Sequence, residues 1–115
     1  MALDDDLMFI AEEAGMEAYN GSPILNLAIY FEDQDGNAYT FPGYSSGYMN
    51  VFQARGQSQL KTFASQLTRN SNVIVLNLSS SDMTFNDTGD YYYELGYIQS
   101  GGYSIPLRYG KLTVI

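Results

Sequence analysis

Apolar residues recur at every second position through most of this chain, the period of a strand with one buried face. Over residues 24–31, Leu25, Leu27, Ile29 and Phe31 alternate with Ile24, Asn26, Ala28 and Tyr30, and the first set is the better core face. Asp33-Gln34-Asp35-Gly36-Asn37 follows. Asp-Gly between apolar runs predicts a hairpin turn, because Gly and Asn accept positive φ, and residues 38–41 would complete that hairpin. Pro42-Gly43 and Ser45-Ser46-Gly47 punctuate a loop, after which residues 48–55 read as a strand. In it Tyr48, Asn50, Phe52 and Ala54 oppose Met49, Val51 and Gln53. Residues 73–78 are strongly β-branched, with Val73 and Val75 opposite Ile74, Leu76 and Leu78. Residues 79–85 suit a helical turn.

Two segments keep more than one reading. Residues 57–67 place Leu60, Phe63, Ala64 and Leu67 at helix-like spacing, yet an irregular connection or an outer strand is the preferred expectation. Residues 1–20 form a separate amino-terminal segment ahead of a folded unit over 21–115. Asp4, Asp5 and Asp6 before Leu7, Ile10, Ala11 and Ala14 suit a helix start, where acids complement the dipole. The apolar run from Leu7 through Ala11 would serve equally as a first strand, and an extended docking arm is the third option.

The stretch Asp87-Thr88-Gly89-Asp90-Tyr91-Tyr92-Tyr93 says most about the fold. In immunoglobulin-like sandwiches, a tyrosine at the start of the second-last strand bonds back to upstream backbone and pins the corner. Tyr91 takes that place here, with Asp87 and Gly89 shaping the turn before it. Alternation then sends Tyr91, Tyr93, Leu95 and Tyr97 to the core and Tyr92, Glu94, Gly96 and Ile98 outward. A glycine turn at Ser100-Gly101-Gly102 leads to a last strand ending Gly110-Lys111-Leu112-Thr113-Val114-Ile115. The expected fold is therefore all-β, an immunoglobulin-like antiparallel β-sandwich with a short amino-terminal arm or helix.

Composition narrows the function. At 115 residues the chain suits one domain. It has no cysteine, so neither disulfides nor thiolate chemistry exist, and no histidine, the commonest general base and metal ligand. Neither a signal-peptide pattern nor a run of about 20 apolar residues appears, so a soluble protein made in the cytoplasm is expected. Acids are unevenly placed: residues 1–54 hold nine and no base, while residues 55–115 hold four against five bases, for a net charge of −8. Such a chain would repel nucleic acid and anionic membranes and attract a basic surface, or its acidity serves solubility alone.

Catalytic motifs are missing. Gly47, Gly56 and Gly101-Gly102 are not followed by the lysine and helix start of a phosphate loop. Asp33, Asp35 and Asn37 resemble a calcium loop, but its glycine falls at the fourth position and its twelfth residue is Tyr44. Asp87 and Asp90 are better explained as turn residues than as a glycosidase pair. No enzyme, cofactor or metal is expected. Tyrosine is the abundant surface-capable residue, with eleven copies and no tryptophan. Tyr44, Tyr48, Tyr92 and Tyr103 are candidates for exposure and partner binding, with ordinary cross-strand aromatic pairing as the plainer reading.

The run Val73-Ile74-Val75-Leu76-Asn77-Leu78, the stretch Gly89-Asp90-Tyr91-Tyr92-Tyr93-Glu94-Leu95 and the ending Gly110-Lys111-Leu112-Thr113-Val114 together resemble a family of small phage virion proteins. Tyr48-Met49-Asn50-Val51-Phe52-Gln53-Ala54-Arg55 is similar to that family's central strand. The resemblance covers roughly residues 25–115, and related domains sit on capsids, head fibres, baseplates and tails. It implies a non-enzymatic virion protein, most directly a decoration protein on the outer capsid that binds the major capsid protein or another virion protein. Docking would use Asp4, Asp5, Asp6, Leu7 and Phe9 of the amino-terminal segment together with the exposed tyrosines. A tail, baseplate or head-fibre position is the near alternative. A glycan-binding module, with Tyr44 and Tyr48 stacking on sugars, is another, and an enzyme accessory domain a third. Oligomeric state is open, since no heptad or symmetry signal is legible.

Overall fold

A computed structural model describes residues 11–115. Among the described residues nine strands run in chain order: β1 (Glu12–Glu13), β2 (Met16–Ala18), β3 (Ile24–Tyr30), β4 (Tyr44–Phe52), β5 (Gln59–Phe63), β6 (Leu67–Asn70), β7 (Val73–Leu78), β8 (Gly89–Gln99) and β9 (Ser104–Val114). No helix occurs among the described residues. The larger sheet has the order β1-β9-β8-β4-β5, with β2 also on β9, and the smaller has the order β3-β7-β6. All pairings are antiparallel except those of β1 and β2, which run parallel to β9. The chain is thus all-β, and its two sheets over one core are consistent with a β-sandwich.

The core forms because alternation turns one face of each sheet inward. Met49, Val51, Tyr91, Tyr93, Leu95 and Tyr97 of the large sheet meet Ile29, Leu67, Ile74, Leu76 and Leu78 of the small one in a single cluster. Each such side chain contributes roughly 1.5–3 kcal/mol by leaving water. Phe31, Tyr39 and Phe41 close one end of the core with edge-to-face ring contacts. Met83, also buried, closes a single helical turn on residues 79–83, and buried Phe85 follows it. Ser79 and Asp82 cap that turn reciprocally: each side chain accepts the other residue's backbone N–H.

Several expectations change. In β3 and just after it, Ile29 and Phe31 are buried as the alternation required, but Leu25 is 67% exposed. The register shifts between Ile24 and Leu27, and Asn26 takes φ 55°, held by its N–H bond to Asn77 Oδ1. That bulge breaks the period of two. Residues 38–41 form no ladder, only one bridge between Glu32 and Ala38. The turn between them is as expected: Asp33 Oδ1 accepts the N–H groups of Asp35 and Asn37, and Gly36 sits at φ 82°. β4 begins at Tyr44, inside the supposed loop. Segment 57–67 contributes β5 at the edge of the large sheet and, after a turn closed by Leu67 N–H to Ala64 O, the start of β6 in the small one.

At the amino terminus, residues 12–18 are strands of the large sheet, and residues 1–10 lie outside the described region. Between β1 and β2, Ala14 N–H bonds to Tyr109 O and Ala14 O accepts the Tyr93 hydroxyl at 2.6 Å. Gly110 makes this close approach fit: a Cβ there would lie 2.5 Å from Ala14 O.

Candidate interaction surfaces

The corner turn is anchored as the sequence pattern required. Tyr91 Oη donates to Asp87 O at 2.6 Å, and its ring packs 4.7 Å from that of Phe85. Gly89 stands at φ 135°, backbone that a side chain would strain. Asp87, Gly89 and Tyr91 therefore shape the fold. Among the described residues no group of three or more acids, histidines or cysteines is placed to hold a metal ion.

The tyrosines expected at the surface separate. Tyr103 is 71% exposed at the tip of the β8–β9 hairpin. Tyr44 is half-buried: it stacks on Tyr97 at 5.8 Å, with the Arg69 guanidinium 5.1 Å from its ring, and burial pushes its hydroxyl pKa up. Tyr92 is half-buried on the outer face of the large sheet beside Phe52 and Tyr109, and the Arg55 guanidinium sits over both tyrosine rings at 5.9 and 5.8 Å. Its hydroxyl pKa is raised by burial, against the pull of Arg55. Tyr48 corrects the expectation of exposure, at 8%. Its ring lies across Gly96, where a Cβ would come within 2.6 Å of the hydroxyl. Burial, then Glu94, which accepts its hydrogen bond, holds that hydroxyl well above the usual phenol range. Asp4, Asp5, Asp6, Leu7 and Phe9 lie outside the described residues.

A hollow opens beside Tyr48 on the outer face of the large sheet. Register alone assembles it, since Thr62, Asn50 and Glu94 stand side by side on β5, β4 and β8. Gln59 and Ser104 complete its polar wall, and Ile98 and Pro106 supply its apolar part. Its volume is about 420 Å³. Thr62 Oγ1 donates to Asn50 Oδ1 at 2.7 Å, which fixes that amide.

The outer face of the small sheet is a surface that attention to the last hairpin missed. Register places Ala28, Val75 and Thr68 in one row and Tyr30, Val73 and Asn70 in the next. None of the six carries charge, in a chain of net charge −8. Tyr30 is 68% exposed. The sequence signal was present, because Ala28 and Tyr30 belonged to the set opposite the core face. The β3 side of this sheet has no strand partner among the described residues.

No protein-family model matches the sequence, and no curated protein matches it significantly.

Proposed function

We propose that this chain is an immunoglobulin-like domain serving as a non-enzymatic virion structural protein, an auxiliary protein that decorates the outer capsid of a phage. Three features support the immunoglobulin-like part. The order β3-β7-β6 against β9-β8-β4-β5 follows the strand order of variable-type domains, β1 and β2 flank β9 as a split first strand, and Tyr91 bonds back across the corner. The virion assignment rests on the sequence resemblance.

The observation that carries a docking role is the charge-free outer face of the small sheet. Thirteen acids keep this protein dispersed, yet none occupies the two rows centred on Val73 and Val75. An uncharged face that mixes Ala28, Tyr30, Val73 and Val75 with Thr68 and Asn70 costs little to desolvate, which suits it to being covered by another surface. On a capsid, copies would be held by burial of Tyr30 and its neighbours, with no bond made or broken.

The test is co-sedimentation of the purified protein with phage heads that lack it. Saturable binding at many copies per head, lost in Tyr30→Glu with an unchanged melting temperature, supports the reading. Failure to bind heads overturns the capsid assignment, and binding to tails or baseplates would replace it. A deletion of residues 1–10 runs alongside and leaves β1 and β2 intact. If it abolishes binding while Tyr30→Glu does not, docking belongs to the acidic segment and the sheet face is refuted.

A further inference from the structure

We infer that the hollow beside Tyr48 is a saccharide-binding site for an uncharged pyranose, one or two rings of a neutral glycan. The inference does not depend on where in a virion the chain sits. Of the two tyrosines expected to stack on sugars, Tyr48 lines the hollow, while Tyr44 is engaged with Tyr97 and Arg69 and is not part of it.

The chemistry of the wall selects the ligand. Sugar hydroxyls both donate and accept, so they need amides, hydroxyls and a carboxylate close together. Asn50, Gln59, Thr62, Ser104 and Glu94 supply that mixture from four adjacent strands. The bond from Thr62 occupies an acceptor position on Asn50 Oδ1, and the Asn50 amide N–H groups have no protein partner among the described residues. Ile98 and Pro106 add apolar surface suited to the C–H face of a ring. A volume of about 420 Å³ falls within the roughly 300–1,000 Å³ of small-molecule sites.

Other ligands fit less well. The Glu94 carboxylate disfavours phosphates, uronates and sialates. A metal ion would need more acidic ligands than the one carboxylate the hollow offers. A peptide adding as a strand would pair in the plane of the sheet along the free edge of β5, whereas the hollow lies on the sheet face over β4 and β8, which are paired on both sides. The site is rigid, because its groups stand on paired strands and Tyr48 is fixed between Gly96 and Glu94.

The test is a titration of the isotope-labelled chain, followed by amide chemical shifts. The probes are methyl glycosides of glucose, galactose, mannose and N-acetylglucosamine, with glucuronate and inorganic phosphate as charged controls. The expected result is saturable shifts at Asn50, Thr62, Glu94 and Ser104 with at least one neutral sugar, and none with the controls. Glu94→Gln should weaken binding about tenfold through loss of a charge-assisted bond. Since that change also touches Tyr48, Gln59→Ala at the exposed edge strand serves as a second variant, expected to weaken binding several-fold with an unaltered spectrum elsewhere. The inference is overturned if no neutral sugar shifts these amides, if shifts gather at Tyr103 or Tyr30 instead, or if glucuronate binds equally well. Head binding is read on the opposite sheet, so either proposal can fail alone.

Discussion

Replacing Tyr91 by phenylalanine removes one oxygen atom and tests the corner directly. The ring would remain against Phe85, so no cavity forms and the change reduces to the 2.6 Å bond to Asp87 O. A protein hydrogen bond contributes about 0.5–1.5 kcal/mol net, and up to about 3 kcal/mol when its loss strands a buried partner. Asp87 is exposed, so water can reach its carbonyl and the smaller range applies. The expected loss is about 1 kcal/mol, a fall of roughly 4 °C in melting temperature for a domain of this size. Tyr91→Ala, which also empties the ring's place, should cost about 3–5 kcal/mol, by analogy with other aromatic truncations. Urea unfolding followed by circular dichroism gives both values, provided the slope with denaturant is unchanged. A Tyr91→Phe protein within about 0.3 kcal/mol of the parent would refute the pinning argument, being well below the usual range for such a bond. A loss as large as that of Tyr91→Ala would show that Asp87 is far drier than its exposure implies.

Three further outcomes follow from the same geometry. Tyr93→Phe removes the hydroxyl that holds Ala14 O, so amide exchange should quicken across β1 and β2 while β4 and β8 stay protected; uniform protection throughout would contradict it. Gly96→Ala forces a Cβ to within 2.3 Å of Ile105 O and against the Tyr48 ring, so a loss of about 1–3 kcal/mol is expected in thermal unfolding, and a neutral result would contradict the packing. Burial pushes the Tyr93 hydroxyl up to about 12, while an unfolded tyrosine titrates near 10. The folded state therefore keeps a proton that the unfolded chain releases. Stability should be full below about pH 10 and fall between about pH 10 and 12, with a smaller fall in Tyr93→Phe, read from urea midpoints and tyrosinate absorbance; an equal fall in both proteins would refute the assignment.

Much of this architecture was legible because β8 obeys a period of two without interruption. Tyr91, Tyr93, Leu95 and Tyr97 are buried, and their neighbours face outward. Residues 73–78 were equally plain. The misreadings have local causes. Gly47 looked like turn chemistry after two serines, yet it is a strand glycine, since a Cβ there would meet Leu67 Cβ at 3.0 Å. The bulge at Asn26 carries no glycine to announce its positive φ. Tyr48 was expected to be exposed because alternation reports which face a residue takes, while its burial depends on the bare backbone of Gly96 on the neighbouring strand. Such cross-strand fits depend on register, and register is set by the folded sheet.

The parallel seam between the amino-terminal strands and β9 has a mechanical consequence. Residue 11 lies at the Arg108 end of the seam, and Ile115, bonded to Ala18 and Asn20 through its backbone, ends it at the other. Tension applied between those two points would slide β1 and β2 along β9, loading their cross-strand bonds side by side in shear. Five register pairs, Glu12 and Glu13 with Arg108 and Tyr109 and Met16 to Ala18 with Leu112 to Val114, would have to yield together. The Tyr93–Ala14 bond adds a cross-tie at the middle of the seam. A domain built this way resists being pulled lengthwise far better than one whose end strands peel apart bond by bond.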